Sequence, residues 1–312
     1  MAQRKMATQT EPQIAGNVAL GIAALTLSSW TQFHALLEKP WVQSSSLIWR
    51  GQRRGLPLRP RLDRRFVDED GLLTLTKAQL KRKYDVQLER FQYAVRGRRG
   101  ANPGAIRSED EWWALGQHTG LETPLLDWTE LPYAALYFAC IEPRPRKARP
   151  EKQRHRVVYA LNERKIGNFQ RRDLIRRLGQ SGGLSEREAS KIKPTKSNLA
   201  LFMKRANRDE HSAMQEAHIH FIRPHSDENV RLLSQGGLFT RTGAGDDIET
   251  LIRETYSGES EEPALVKILI PDMDREGCLR SLNRMNMNHR SLFPDLAGAS
   301  LFCNMYLDIP RY

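Results

Sequence analysis

One stretch near the middle of the chain constrains the fold more than any other. Leu125, Leu126 and Trp128 enclose Asp127, and Pro132 then opens a second apolar run. A short run that is apolar at nearly every position is typical of a strand buried on both faces, and proline is favoured at the first position of a helix. We therefore predict a buried strand followed directly by a buried helix, which requires packed layers of sheet and helix.

The remaining chain alternates strand and helix patterns in short, irregular runs. Strands are predicted at 47–49, 156–161, 217–222 and 266–270, and helices at 71–93, 109–116 and 275–285. This order favours the α+β class, with small mixed or antiparallel sheets around a cleft and with helical insertions.

Residues 14–37 contain no Asp, Glu, Lys or Arg, which faintly resembles a signal peptide or a membrane span. The apolar part is short and is diluted by Gly, Ala and Thr, so we favour a strand followed by a helix. Residues 1–46 are predicted to be a tail, disordered over 1–13, plus this strand and helix packing on a main domain at 47–308. A stretch at about 143–197 is interpreted as a basic insertion in that domain, of which residues 165–197 are expected to be mobile.

The net charge of +12 is high and attracts phosphates, nucleic acid or acidic protein surfaces. The alternative is that the charge serves solubility and lies in a few basic loops. The most basic of these loops, at 143–156, could bind phosphates but lacks aromatic residues for base stacking. The three cysteines form no C-x-x-C pair, so we expect neither a metal site nor a disulfide framework. This pattern fits a reducing, cytoplasmic compartment.

Arg50 and Asp127 are costly to bury and stand beside large apolar residues. The planar donor fork of Arg50 suits phosphate or carboxylate, and Gly51 after it lets the backbone turn or approach a ligand closely. Either Arg50 pairs with Asp127 or with a helix end, or both groups face a cleft and a ligand.

Further polar groups flank this pair. His118 is interpreted as a general base, a ribose hydrogen-bond partner, or a core histidine held by a carbonyl. Thr129 is a candidate site residue or a cap for the helix that starts near Pro132. Trp128 is either core or a stacking surface for a planar ligand ring. Gln235 offers one amide in a flexible turn, and phosphate-binding glycine fingerprints are absent in usable context.

These segments resemble the FRG domain family, named for a Phe/Tyr-Arg-Gly motif. The signature is matched by residues 49–52, with Trp49 in the aromatic place, and the longest motif by residues 117–139. Later segments at 231–240, 270–271 and 292–295 resemble further family motifs, so the resemblance covers roughly 47–307. Pro124 stands where the family usually has Arg.

A more distant resemblance is to the R-S-E class of ADP-ribosyltransferases, which use NAD. It implies that Arg50 holds the NAD phosphates or ribose, that Asp127 and Thr129 orient the nicotinamide ribose, and that His118 binds a ribose hydroxyl. That class takes a Glu from a later strand, where this chain offers Arg231 and Gln235. The implied catalytic residues are Arg50, His118, Asp127, Thr129 and Gln235, and the implied NAD-binding residues are Arg50, Gly51, Gln52, His118, Thr123 and Trp128.

The resemblance implies a bacterial or phage effector of the antiviral defence or toxin type that modifies a nucleic acid or a protein acceptor, with no membrane partner. The main alternative is a non-catalytic recognition module that binds nucleic acid through its basic loops. A third is a nuclease or phosphodiesterase that uses the histidines. The oligomeric state stays open.

Overall fold

The computed structural model describes residues 14–15, 20–44, 46–100, 103–143, 155–205, 218–224, 230–255 and 263–312. The predicted tail at 1–13 and most of the basic loop at 143–156 lie outside these residues.

A mixed, mostly antiparallel sheet of eight strands forms the centre of the molecule. The strands are β1 (Ile14–Ala15), β2 (Ile22–Thr26), β3 (Leu47–Gln52), β4 (Leu125–Thr129), β5 (His155–Asn162), β6 (Ile219–Ile222), β7 (Gly237–Thr242) and β8 (Leu265–Pro271). They lie in the order β1-β2-β8-β5-β3-β4-β7-β6, and of these pairs only β2 and β8 are parallel. The prediction of mixed α and β structure is confirmed, but one continuous sheet replaces the small sheets that we expected.

The sheet nearly divides between β3 and β4. β3 pairs with β5 over six positions, from Leu47 opposite Asn162 to Gln52 opposite Val157. β3 pairs with β4 only where Trp49 lies opposite Thr129. Beyond this pair the two strands share no further residue pair, and we call the place where the Arg50 side chain instead bridges to β4 the gap.

Fourteen helices surround the sheet in the part of the chain that the structure describes. They are α1 (Gln32–Leu37), α2 (Pro40–Gln43), α3 (Arg61–Arg64), α4 (Lys77–Ala94), α5 (Glu109–His118), α6 (Pro132–Ile141), α7 (Glu163–Ser181), α8 (Glu186–Ser190), α9 (Lys196–Arg205), α10 (Val230–Ser234), α11 (Ile248–Thr255), α12 (Arg275–Arg284), α13 (His289–Leu292) and α14 (Leu296–Asp308). None of these described helices has the length and apolar character needed to cross a membrane.

Helix α6 forms the centre of the largest core cluster. Ala134, Ala135, Leu136, Tyr137 and Ala139 are all fully buried there against β3, β5 and α12. Burying each large apolar side chain of this cluster contributes about 1.5–3 kcal/mol to folding before the entropy cost is counted. The predicted buried helix after a buried strand is confirmed.

The backbone of Gly51 touches α6 directly. A Cβ placed on Gly51 would lie 1.9 Å from the Ala135 carbonyl oxygen and 2.4 Å from the Ala139 amide nitrogen. Only glycine allows so close an approach of strand and helix. The structural reason for glycine at this position is therefore the packing of α6 on β3.

Two helical predictions need correction. The helix expected over 71–93 begins at Lys77, because Thr76 and Gln79 form a reciprocal capping box that ends the preceding loop. The stretch 165–197, which we expected to be mobile, contains most of α7 and all of α8, and these helices bury an apolar cluster together with α9, around Ile175 and Met203.

Helix α3 is held by a buried carboxyl group. Asp63 has no exposed surface, and it accepts hydrogen bonds from the Tyr84 hydroxyl and from the Gly245 amide, the latter at 3.2 Å. Burial raises the pKa of Asp63 to about 6, although both hydrogen bonds oppose this rise. These contacts fix the short helix whose last residue is Arg64.

Candidate functional site

The Arg50 side chain reaches across the gap between β3 and β4. Its Nη1 donates to the Asp127 carbonyl oxygen at 2.6 Å and lies 3.5 Å from the Asp127 carboxylate. With its amide oxygen turned toward Arg50, Gln52 accepts from Arg50 Nε at 3.1 Å. Of the alternatives left open by the sequence, the pairing of Arg50 with Asp127 is thus present, and Nη1 and Nε of the guanidinium each contact one neighbour.

Asp127 faces solvent, with 62% of its side chain exposed. The prediction that its strand is buried on both faces is wrong at this position, since Asp127 is the one exposed residue of β4. Gln117 Nε2 donates to Asp127 Oδ1 at 2.6 Å, and the Thr123 hydroxyl in turn donates to Gln117 Oε1. The carboxylate is therefore both accessible and held in one orientation.

Thr129 lies two residues after Asp127 on β4, and its side chain contacts Gln235. The Thr129 hydroxyl donates to the Gln235 carbonyl at 2.5 Å and accepts from the Leu131 amide at 2.9 Å. The latter contact lies at the start of α6, close to the capping role considered for Thr129. The Gln235 side chain donates to the Leu292 carbonyl at 3.0 Å, so both side chains already have protein partners.

His118 is the last residue of α5. Burial, followed by the positive charge of Arg231, holds the pKa of His118 below its usual range, and Asp295 partly offsets this. Arg231 and Asp295 form an ion pair with each other. His118 is therefore a neutral imidazole at pH 7, a form that accepts or donates a hydrogen bond.

The structure places the other predicted residues away from the gap or inside the core. The Trp128 ring is buried, and its Nε1 donates to the Thr240 hydroxyl at 2.8 Å, which fits the core interpretation better than ring stacking. Thr123 is also buried, behind Gln117. Gly51 packs on α6, so of the proposed NAD-binding residues only Arg50, Gln52 and His118 retain partly exposed side chains.

Sequence reasoning missed two residues beside Arg50 and Asp127. Gln117 is the first residue of the long motif at 117–139, and its adjacency to His118 was a usable signal. Arg64 carried no signal, because it is one of several arginines at 59–65. Its Nε donates to the Arg59 carbonyl at 2.9 Å, and its buried Nη2 has no hydrogen-bond partner.

A groove of about 730 Å³ lies on a different surface, between α3 and α4. Leu62, Phe66 and Val86 are among its apolar lining residues, and Arg82, Lys83 and Arg90 are among its basic ones. These three cations form no ion pair among the residues that the structure describes. No group of His, Cys, Asp or Glu within the described ranges is arranged to hold a metal ion.

Comparison with known proteins agrees with the motif analysis over part of the chain. Residues 45–148 match the family model of the FRG domain. The matched segment contains β3, β4 and α3 to α6, and with them Arg50, Arg64, His118 and Asp127. No curated protein and no solved structure matches this chain. The match to the FRG domain therefore covers the segment that includes the gap, while the likeness of the segments after residue 148 stays a prediction.

Proposed function

We propose that the protein is an effector of the bacterial or phage defence or toxin type, which uses NAD as a substrate and transfers ADP-ribose. The observation that carries this proposal is the contact of Arg50 with Asp127 across the gap between β3 and β4. The contact brings an anion-binding guanidinium next to an exposed carboxylate. NAD cleavage requires one group to bind the phosphates and another to stabilise developing positive charge.

Arg50 is suited to bind the phosphates or ribose of NAD, because its guanidinium is held in place by Asp127 at Nη1 and by Gln52 at Nε. Among the residues that the structure describes, its Nη2 has no hydrogen-bond partner. That nitrogen is therefore available to a ligand oxygen.

Asp127 takes the electrostatic role in this proposal. When the bond between ribose C1′ and nicotinamide nitrogen breaks, the electron pair leaves with nicotinamide and positive charge develops on the ribose. A carboxylate oriented by Gln117 stabilises that charge until an acceptor nucleophile bonds to C1′. This assignment replaces the later-strand Glu of the R-S-E class, where this chain has Arg231 and Gln235. Neutral His118 accepts the proton that the acceptor releases.

The test is nicotinamide release from NAD by the full chain. Arg50→Ala and Asp127→Asn should each lower turnover about 100-fold, the usual effect of removing one group that stabilises developing charge. Asp85→Asn is the matched control, because Asp85 is an exposed carboxylate paired with Lys81 on α4 and should leave turnover unchanged. If the unaltered protein neither binds NAD nor releases nicotinamide, the proposal is wrong.

A second candidate function, nucleic-acid recognition, is favoured by the groove between α3 and α4. Unpaired Arg82, Lys83 and Arg90 give its lining a positive charge that suits phosphates. Titration of labelled DNA and RNA across a salt series should show a steep slope, which falls by about 1 when Lys83→Ala removes a phosphate contact. Lys81→Ala is the control, since Lys81 is already paired with Asp85. Affinity that does not change with salt would exclude this function.

A further inference from the structure

Strand β6 has one open edge. It lies last in the sheet and, among the residues that the structure describes, pairs with β7 alone. Backbone groups of successive residues in an antiparallel pair point alternately toward the partner strand and away from it. The Ile219 amide and carbonyl point away from β7, because they bond to the side-chain amide of Gln170 at 2.7 and 3.0 Å. The backbone groups of Phe221 point the same way and meet no partner in the described part of the chain.

Gln170 occupies the place that a neighbouring strand would take. Its amide accepts from the Ile219 N–H and donates to the Ile219 carbonyl, which are the two contacts that a residue of an added strand makes. The edge is therefore covered at Ile219 and open at Phe221. An open row of backbone groups is a template for pairing with another chain.

A pocket of about 490 Å³ lies beside this edge. It is lined by residues 218–223, which include all of β6, and by Gly167, Gln170 and Leu174 of α7. These three positions of α7 follow the helical spacing and share one face. The volume lies in the range of clefts that hold ligands, about 300–1,000 Å³. The space beside Phe221 therefore leaves room for a short extended segment.

The lining of this pocket carries an excess of positive charge. Its three carboxylates each form an ion pair with an arginine; they are Asp110, Glu163 and Asp173. Three of its cations have no carboxylate partner among the residues that the structure describes; they are Arg164, Arg171 and Lys196. The pocket therefore attracts acidic groups.

We propose that the open edge of β6 and this pocket bind an extended, acidic segment of a partner protein by strand addition. The backbone of the segment pairs with Phe221, and its carboxylates contact the three unpaired cations. A peptide backbone supplies both an acceptor for the Phe221 N–H and a donor for its carbonyl oxygen, whereas a phosphate group supplies only acceptors. This difference favours a protein over a nucleic acid here. The site is independent of the proposed NAD chemistry, since none of the residues assigned to that chemistry lines this pocket.

The experiment measures binding of a set of labelled hexapeptides to the full chain by fluorescence polarisation. In each peptide glutamate alternates with a varied residue, and a matching set carries lysine in place of glutamate. The best glutamate peptides should bind at least about tenfold more tightly than their lysine counterparts. If no glutamate peptide binds, or if the lysine set binds equally well, the proposal is wrong.

Methylation of single peptide nitrogens in the best peptide tests strand addition without altering the protein. It should weaken binding about tenfold at the position that faces Phe221 and much less at the two positions beside it, because only alternate N–H groups face β6. An equal effect at all positions would refute strand addition. Phe221→Pro removes the outward N–H, keeps the bonds to β7 and should also cost about tenfold. Phe221→Leu keeps the N–H and should bind within about threefold of the unaltered protein.

Lys196→Gln tests the charge of the pocket. Lys204 is its matched control, because it is also an exposed lysine of α9 but does not line the pocket. Lys196→Gln should weaken binding of the glutamate peptide about threefold and reduce its salt dependence, and Lys204→Gln should change neither. Circular dichroism establishes that each variant is folded. Labelled RNA or DNA whose binding falls with Lys196→Gln, with no acidic peptide bound, would assign this surface to nucleic acid and overturn the proposal.

Discussion

Replacement of Gly51 by alanine tests whether the glycine of the Arg-Gly motif serves the fold or the ligand. The new Cβ would lie 1.9 Å from the Ala135 carbonyl oxygen, whereas ordinary contact begins at 3.4 Å, so α6 would have to retreat by about 1.5 Å. Both clashing atoms are backbone, and α6 is packed between β3 and α12 with fully buried side chains. The shift cannot be absorbed by a side-chain rotation.

We expect Gly51→Ala to cost about 3 kcal/mol or more, the upper range for overpacking a core, which is a large part of a typical stability of about 5–15 kcal/mol. Urea unfolding followed by circular dichroism measures this loss, and thermal unfolding should begin at least about 5 °C earlier. Arg50→Gln is the comparison, because it removes side-chain contacts to Asp127 and Gln52 without any backbone clash and should cost only about 1–2 kcal/mol. A Gly51→Ala protein as stable as the unaltered one would refute the packing argument. It would instead favour a role for this glycine in the close approach of a ligand.

Three further changes test buried polar groups. Because burial raises the pKa of Asp63 to about 6 from 3.8, its ionisation opposes folding, and stability is lost as pH rises between these values. The unfolding free energy of the unaltered protein, minus that of Asp63→Asn, should fall by about 3 kcal/mol from low pH to pH 7, and a flat difference in urea titrations would contradict the assignment. Arg156→Met should cost about 3–5 kcal/mol in the same assay, because fully buried Arg156 pairs with Asp272 at 2.8 Å; a neutral effect would show that the pair is dispensable. Thr123→Val frees Gln117 from its hydroxyl partner and should slow nicotinamide release about tenfold with little change in melting temperature, whereas unchanged turnover would mean that Gln117 is held by other contacts.

Local patterns in the sequence predicted the elements on either side of the gap. The apolar run around Asp127 and the proline that follows it indicated β4 and α6, and both are present at Leu125–Thr129 and Pro132–Ile141. The adjacency of Arg50 and Asp127 was also within reach, as one of two alternatives. These inferences succeed because strand and helix signals are local, and because two costly charges in apolar surroundings tend to meet.

The exposure of Asp127 could not be predicted, since it depends on what the tertiary fold packs over that face of β4, and the extent of β3–β4 pairing is equally hidden. β3 and β4 are distant in the chain and share one residue pair, and no local pattern records where such a pairing stops. Arg64 was missed for a related reason. Its neighbour Arg50 is brought to it by the tertiary fold, and Arg61 and Arg65 beside it look the same in the sequence but are neutralised by Glu122.

The parting of β3 from β4 connects the core to the candidate chemistry. On one side of β3, Gly51 accepts the close approach of α6, which fixes the strand where it leaves its neighbour. On the other side of β3, the Arg50 side chain donates a hydrogen bond to the Asp127 carbonyl oxygen, where a further backbone pair between the strands would otherwise form. A strand held this firmly by a helix can lose ladder hydrogen bonds without losing its position, because the core packing outweighs them. We infer that the consecutive arginine and glycine act together. Gly51 lets α6 pack directly on β3 and so fixes the position of the strand, and Arg50 supplies a side-chain contact to β4 where backbone pairing has ended.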